Sequence, residues 1–262
     1  KTWQGKVNGT WDRKYTAGWT LADKAANTTV LDSTSNASNA AADANTSSKT
    51  VTAQINGGLT FNGTADKILS NSGSLVPSTT SVTYSIWSKP ISQIGAFDGT
   101  MVTDTFVSAD DIGIWNHAGT WYWQVEGAGG STGGNATSAN NGTWYYFSLV
   151  YVSASSTPER LYVNGALAAS SATDAGGTKN PHNLLLGSYN GGNFANAEMD
   201  EVRLSNTVRS FDWLTAEYNN QNSPSTFYTV GAELSSGVIS TLVNMKGATH
   251  TLKGATFMIK EQ

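Results

Sequence analysis

Cysteine is absent from the 262 residues of this chain, which excludes disulfides, thiol nucleophiles and thiolate metal sites together. It leaves the compartment open. Histidine occurs only three times, at His117, His182 and His250. Each stands alone, and no H-E-x-x-H, G-x-S-x-G or phosphate-binding glycine motif is present. Metalloprotease, serine-hydrolase and nucleotide-dependent chemistry therefore lack their parts. Charged residues make up 13% of the chain, with 15 Lys and Arg against 19 Asp and Glu and a net charge of −4. Without a basic stripe, nucleic acid is not an expected partner. No apolar run approaches the roughly 20 residues of a membrane-spanning helix.

What the chain does have is Gly, Ser, Thr, Asn and Ala in abundance, together with nine Trp. This mixture suits short strands and turn-rich loops, so the expected class is all-β. Val82–Ser88 alternates cleanly, with Val82, Tyr84, Ile86 and Ser88 on one face and Thr83, Ser85 and Trp87 on the other. Ile112–Trp115 and Trp121–Val125 read as a hairpin around Asn116–Gly119. Trp144–Val152 is the best candidate for a central strand buried on both faces. Further strands are expected at Gly58–Phe61, Arg160–Val163, Asn183–Ser188 and Ala197–Ser205. Residues 33–50 read as a long loop with at most a weak strand, and residues 127–142 as loop. Ser210 is expected to cap a short helix running to about Asn219, where Phe211, Leu214, Glu217 and Tyr218 recur at helical spacing. Many short strands with one helix predict a two-sheet antiparallel jelly-roll sandwich.

The C-terminal segment differs in texture. Lys246–Thr249 (KGAT) recurs as Lys253–Thr256, which suits a terminal hairpin or strands that pair with a second chain. Residues 232–262 are therefore set apart as a β-hairpin or assembly tail.

Gly57–Gly63 (GGLTFNG), Tyr84–Pro90 (YSIWSKP), Trp144–Tyr146, Leu161–Gly165 (LYVNG), Leu185–Ser188 (LLGS) and Met199–Ser205 (MDEVRLS) resemble, in order, the signature blocks of bacterial laminin-G-like jelly rolls in the concanavalin A-like lectin/glucanase superfamily. The resemblance covers about residues 11–231. It implies that residues 1–10 are a linker from an upstream domain of a larger extracellular or surface protein. It also implies two packed sheets, a ligand-holding concave face and frequently a structural calcium.

Relatives with glucanase activity carry E-x-D-x-E on one strand face, where acids at i, i+2 and i+4 line a cleft. Here Glu198 and Asp200 supply two acids, but Val202 takes the third position and Glu201 points to the other face. A glycoside hydrolase is thus disfavoured. For calcium the resemblance implies Asp200, with Asp32 as a second ligand and main-chain carbonyls beside them. The competing reading pairs Asp200 and Glu201 with Arg203 or with loop amides. For a glycan or other surface ligand, Trp115, Trp121 and Trp123 are candidates to stack on sugar faces, and they are equally candidates for the core. Tyr189 and Asn190 lie in an exposed-looking loop that could bind hydroxyls or simply connect two strands. The expected function is a non-catalytic carbohydrate- or surface-ligand-binding module. The alternative is an assembly subunit such as a virion fibre, decoration or filament protein.

Overall fold

The structure is a computed structural model that describes residues 11–70, 75, 81–103, 111–127, 130–176, 183–227, 249–252 and 255–258. The chain forms two compact units, Lys1–Ser223 and Pro224–Gln262. The predicted linker at residues 1–10 lies outside the described residues.

In chain order the first unit opens with β1 (Tyr15–Trp19), β2 (Thr29–Val30), β3 (Ala40–Ala42), β4 (Thr50–Val51), β5 (Gly58–Asn62) and β6 (Ile68–Ser70). It continues with β7 (Ser81–Ser92), β8 (Asp98–Thr103), β9 (Ile112–His117), β10 (Thr120–Gly127), β11 (Gly130–Ser138) and β12 (Tyr145–Val152). Then follow β13 (Glu159–Val163), β14 (Ala166–Ser171), β15 (Leu184–Leu186), β16 (Ser188–Tyr189), β17 (Gly192–Phe194), β18 (Asn196–Ser205) and the helix α1 (Phe211–Asn222). One sheet runs β14-β13-β12-β7-β18-β5-β4, with β1 also on β18; the other runs β11-β10-β9-β8-β15-β6-β3-β2. The pairings are antiparallel, as the expected sandwich requires.

The core lies between the sheets and follows the pleat, because alternate residues of a strand point to opposite faces. Val82, Tyr84 and Ile86 meet Phe147, Leu149 and Tyr151 from β12, and Ile112, Ile114, Trp121, Trp123 and Val125 from the opposite sheet. Hairpin turns fix these registers. Ala118–Gly119 has φ of 52° and 82°, and Asn164–Gly165 has 53° and 75°, the pair of left-handed residues that matches strand twist in a two-residue turn.

The outer face of the first sheet is covered by α1. Ser210 caps it, accepting from the Trp213 N–H at 3.2 Å, as the sequence predicts. Leu214 is fully buried against Val150 and Tyr162, while Tyr218 stacks on Trp87 and Tyr146. Arg203 reaches Glu217 on the helix and Glu201 on its own strand. Phe211 meets Tyr162 with ring centroids 6.0 Å apart and stays half exposed. The far side of β12 is thus buried by the helix, which explains why Trp144–Val152 reads as a strand buried on both faces.

The loop expected over residues 127–142 is in part a strand. Residues 130–138, read as loop, form the edge strand β11 against β10. Glycine hides it from any periodicity test, and glycine is required there. A Cβ on Gly133 would stand 2.2 Å from the Trp123 carbonyl oxygen, with φ at +148°.

In the second unit, β19 (Thr249–Leu252) pairs antiparallel with β20 (Ala255–Met258).

Candidate ligand-binding site

With one sheet covered by the helix, the outer face of the other becomes the broad surface on which to look for a ligand site. Its centre is the β9–β10 hairpin. Trp121, Trp123 and Val125 point into the core, so Tyr122, Gln124 and Glu126 point out. In register, Tyr122 lies opposite Trp115, which places Trp115 on the outer face also.

This divides the three predicted tryptophans. Trp121 and Trp123 are 1% and 2% exposed and belong to the core between the sheets, so neither can offer a ring face to a ligand. The expectation that they bind is corrected on that ground. Trp115 belongs to a separate outer cluster with Val102, Leu185, Leu69, Tyr122 and Tyr189. Strand parity alone puts Trp115 and Trp121 on opposite faces once the two-residue turn at Ala118–Gly119 is fixed.

Five rings close a circuit on this face. Trp115 stacks on Tyr122 with centroids 5.0 Å apart, Tyr122 meets His117 at 5.9 Å, and His117 stacks on Phe97 at 4.8 Å. Phe97 then stacks on Tyr189 at 5.5 Å, and Tyr189 meets the edge of Trp115 at 5.3 Å. Trp115 is nearly covered, whereas Tyr122, Tyr189 and His117 are partly exposed and Phe97 is 37% exposed. Trp115 is therefore the floor, and the other four present ring surface.

Each ring has a local reason for its place. Phe97 sits in the turn before β8, which the buried Asp98 carboxylate ties by accepting from the Ile94 and Gly95 N–H groups at 3.0 and 2.8 Å. Tyr189 comes from the β16–β17 hairpin, where the Ser188 hydroxyl donates to the Gly192 carbonyl at 2.7 Å. That hairpin lies directly on β8, since a Cβ on Gly99 would stand 2.3 Å from the Tyr189 nitrogen. Any larger residue at position 99 would push Tyr189 off the circuit. Asn190 is exposed at the hairpin tip, beside Tyr189. Phe97, His117 and Tyr122 escape a reading of the sequence; only Tyr122 carries a usable signal, its pairing with Trp115.

Polar groups border the rings. Glu126 accepts from the Gln124 amide at 2.6 Å and from the Ser131 hydroxyl at 3.1 Å, and the exposed Asn135 pairs in register with Tyr122. The electrostatics are acidic. Burial, and after it the carboxylates of Glu126 and Asp111, push the Tyr189 phenol up.

The acidic stretch on β18 is organised differently from a catalytic strand. Glu198 pairs with Lys89 at 2.5 Å, and Asp200 is fully buried. A bulge between Asp200 and Arg203 breaks the register, with Glu201 at φ +50°. This resets the alternation, so that Val202 enters the core and Glu201 turns to Arg203.

The two predicted calcium ligands also separate. Asp32 Oδ1 accepts from the Gly18 and Thr34 N–H groups, each at 2.9 Å, and Oδ2 accepts from the Thr34 hydroxyl at 2.7 Å and the Ser38 N–H at 2.8 Å. With about four acceptor sites in a carboxylate, Asp32 is fully engaged as a loop staple and does not fit a metal. Asp200 does fit one. Its Oδ2 accepts from the Ile55 N–H at 2.7 Å, while Oδ1 is buried without a hydrogen-bond partner. Burial first, then the Glu201 carboxylate, push this carboxyl up to about 8. No group of three or more His, Asp or Glu side chains converges among the described residues, so any cation at Asp200 would draw on main-chain oxygens.

Comparison with known proteins agrees with the fold. Domain 4 of AbnA, a GH43 extracellular arabinanase from Geobacillus stearothermophilus, solved in complex with arabinotriose, is similar over 77% of this chain and 97% of its own, with TM-score 0.60 and 16% identity. The binding domain of Paraclostridial Mosquitocidal Protein 1 is similar over 79% of this chain at TM-score 0.61 and 11% identity, and Trypanosoma rangeli sialidase over 81% at 0.60 and 13%. The chain spans 52% of that binding domain structure and 33% of the sialidase. No curated protein sequence matches significantly. The laminin G-type profile of the concanavalin A-like lectin/glucanases superfamily matches residues 62–215, and the chain belongs to that superfamily.

Proposed function

We propose that this chain is a non-catalytic glycan-binding module, displayed outside the cell as part of a larger protein, and that the ring circuit on the open sheet holds the glycan. The observation that carries the reading is the closed set of five rings, four of them partly exposed, bordered by hydroxyl-binding side chains. Flat rings pack on the C–H faces of sugars, while Glu126, Gln124, Asn135 and Asn190 exchange hydrogen bonds with hydroxyls. A similar fold solved in complex with arabinotriose makes glycans the first ligand class to test. The non-catalytic assignment rests on β18, where Glu198 is engaged by Lys89 and Val202 is in the core. A retaining hydrolase needs two carboxyls about 5 Å apart flanking one open cleft.

Calcium is proposed as a stabilising ion only. Asp200 would give one oxygen, and a hard cation there would balance a carboxylate that burial otherwise disfavours.

A second reading, an assembly subunit, is favoured by the C-terminal hairpin, which has two strands among the described residues, because a two-stranded sheet alone is marginal in water. A strand from another copy would complete it.

A glycan array probed with the full chain tests the first reading. Tyr122→Ala and Tyr189→Ala are each expected to weaken binding about tenfold or more without shifting the thermal midpoint appreciably. Trp213→Ala, on the helix, is expected to change nothing. Absence of binding to every glycan, together with concentration-dependent assembly in light scattering, would replace the first reading with the second.

A further inference from the structure

We propose that Trp11, Asp12, Tyr15 and Arg209 form a mechanical lock that clasps the two ends of the first unit together, so that tension along the chain is held there before it reaches the strands of the sandwich. The lock concerns the chain ends and is independent of what the open sheet binds. Its use rests on the reading of this chain as part of a larger protein, whereas its mechanics rest on the geometry alone.

The ladder beside the lock shows what it protects. β1 and β18 are antiparallel neighbours, with Tyr15 opposite Ser205 and Trp19 opposite Val202. The chain therefore enters at Asp12 and leaves at Asn206 on the same end of the ladder. Tension applied to both segments loads the rungs one after another from that end, because the hydrogen bonds of an antiparallel pair run across the strands. A ladder loaded in this way resists weakly.

Arg209 stands ahead of the first rung, on the segment between β18 and α1. Its guanidinium donates to both Asp12 oxygens, at 2.6 and 2.8 Å, and to the Ser205 hydroxyl at 3.0 Å. The same group lies over two rings, 4.2 Å from the Tyr15 centroid and 4.7 Å from that of Trp213. Its main-chain N–H donates to the Thr83 hydroxyl at 3.0 Å, which ties it to β7. Trp11 extends the clasp along β1: its ring meets Tyr15 edge-on at 5.0 Å, lies 5.3 Å from the Arg203 guanidinium, and would stand 2.7 Å from a Cβ on Gly18. The Tyr15 hydroxyl donates to Glu217 on α1 at 3.4 Å.

Both routes of unravelling meet these residues. Peeling from the entering side must first break the Asp12 fork and lift Trp11 from β1. Peeling α1 from its C-terminal end reaches Glu217, then Trp213, then Arg209. Two parallel charge-assisted hydrogen bonds and a stacked guanidinium then have to give way together, not in turn.

The test is the lifetime of the folded full chain under constant tension in an optical trap, which reports the unfolding rate. Handles attach to introduced cysteines alone, since the chain has none of its own. One pair, Thr10→Cys with Ser225→Cys, loads the lock; another, Lys24→Cys with Asn141→Cys, pulls across the sandwich and bypasses it. Asp12→Asn and Arg209→Lys are each expected to shorten the lifetime about fivefold with the first pair and less than about twofold with the second. Lysine keeps the charge and loses the fork, so it separates geometry from charge. Should Arg209→Lys fail to fold, Asp12→Asn at the partly exposed carboxylate decides the outcome. Equal shortening with both pairs would reveal a plain loss of stability, and an unchanged lifetime with the first pair would show that other contacts hold the ends; either result would overturn the proposal. Glycan binding is tested separately by the array, so failure of the lock leaves that reading standing.

Discussion

Trp121→Ala is expected to cost about 3–5 kcal/mol of folding stability, whereas Tyr122→Ala, one residue along, is expected to cost about 1 kcal/mol or less. The contrast follows from strand parity. Trp121 is 1% exposed and packs on Phe147 with ring centroids 4.5 Å apart and on Tyr145 at 5.6 Å. Both partners come from the opposite sheet, so the indole spans the sandwich. Its removal leaves a hole lined by residues fixed in two sheets, which cannot collapse. A cavity of about 10 Å³ already lies beside the indole, bordered by Asp98, Thr100, Asn116 and Asn196, and the deletion would enlarge it. Tyr122 lies on solvent-facing β10 and is partly exposed; its loss removes contacts with Trp115 and His117 but opens no internal void. Urea unfolding of the two variants distinguishes the cases. A Trp121→Ala midpoint close to the parent would show that the indole does not occupy the core, and the division of the tryptophans would fail.

The second large effect concerns calcium. At a free concentration near 100 times its dissociation constant, a cation bound to the folded state alone adds about 2.7 kcal/mol. For a domain of this size that is a rise of about 5–10 °C in thermal midpoint. Asp200→Asn is expected to remove the rise, and Asp32→Asn is not expected to change the response to calcium. The pH dependence has a definite sign. The folded Asp200 carboxyl lies at about 8, above its ordinary value of 3.8. Before metal binds, stability from the neutral form is present at low pH and is lost as pH rises through about 8. Calcium binds the ionised form and releases the proton, so its stabilising increment grows across the same range. Scanning calorimetry with calcium and with chelator measures this directly. Equal midpoints in both, at pH above 8, would show that Asp200 holds no calcium.

Much of the architecture is legible in the sequence because it depends on nearest neighbours. Val82–Ser88 shows its inward face by period, Asn164–Gly165 shows a two-residue turn by residue type, and Ser210 shows a cap by its hydroxyl. What is not legible depends on contacts distant in sequence or on backbone shape. The strand Gly130–Ser138 has no apolar period, and its Gly133 is selected by close approach to the Trp123 carbonyl on β10. The bulge at Glu201 moves Val202 inward, and residue identity does not signal it. Phe97 and Tyr189 are separated by many residues and meet only because Gly99 lets one hairpin lie on another strand. Trp115 and Trp121 are an intermediate case: parity divides them, but only if Ala118–Gly119 is taken as the whole of the turn.

The central claim is that the ligand sits on the five-ring circuit and not on the helix-covered sheet. Titrating the full chain with a neutral oligosaccharide while following aromatic side-chain resonances by NMR tests it most directly. The account predicts saturable shifts at Phe97, His117, Tyr122 and Tyr189, with Trp213 and Tyr218 on the helix unmoved. Shifts confined to the helix side, or none at the circuit when a bound oligosaccharide is demonstrated, would contradict it.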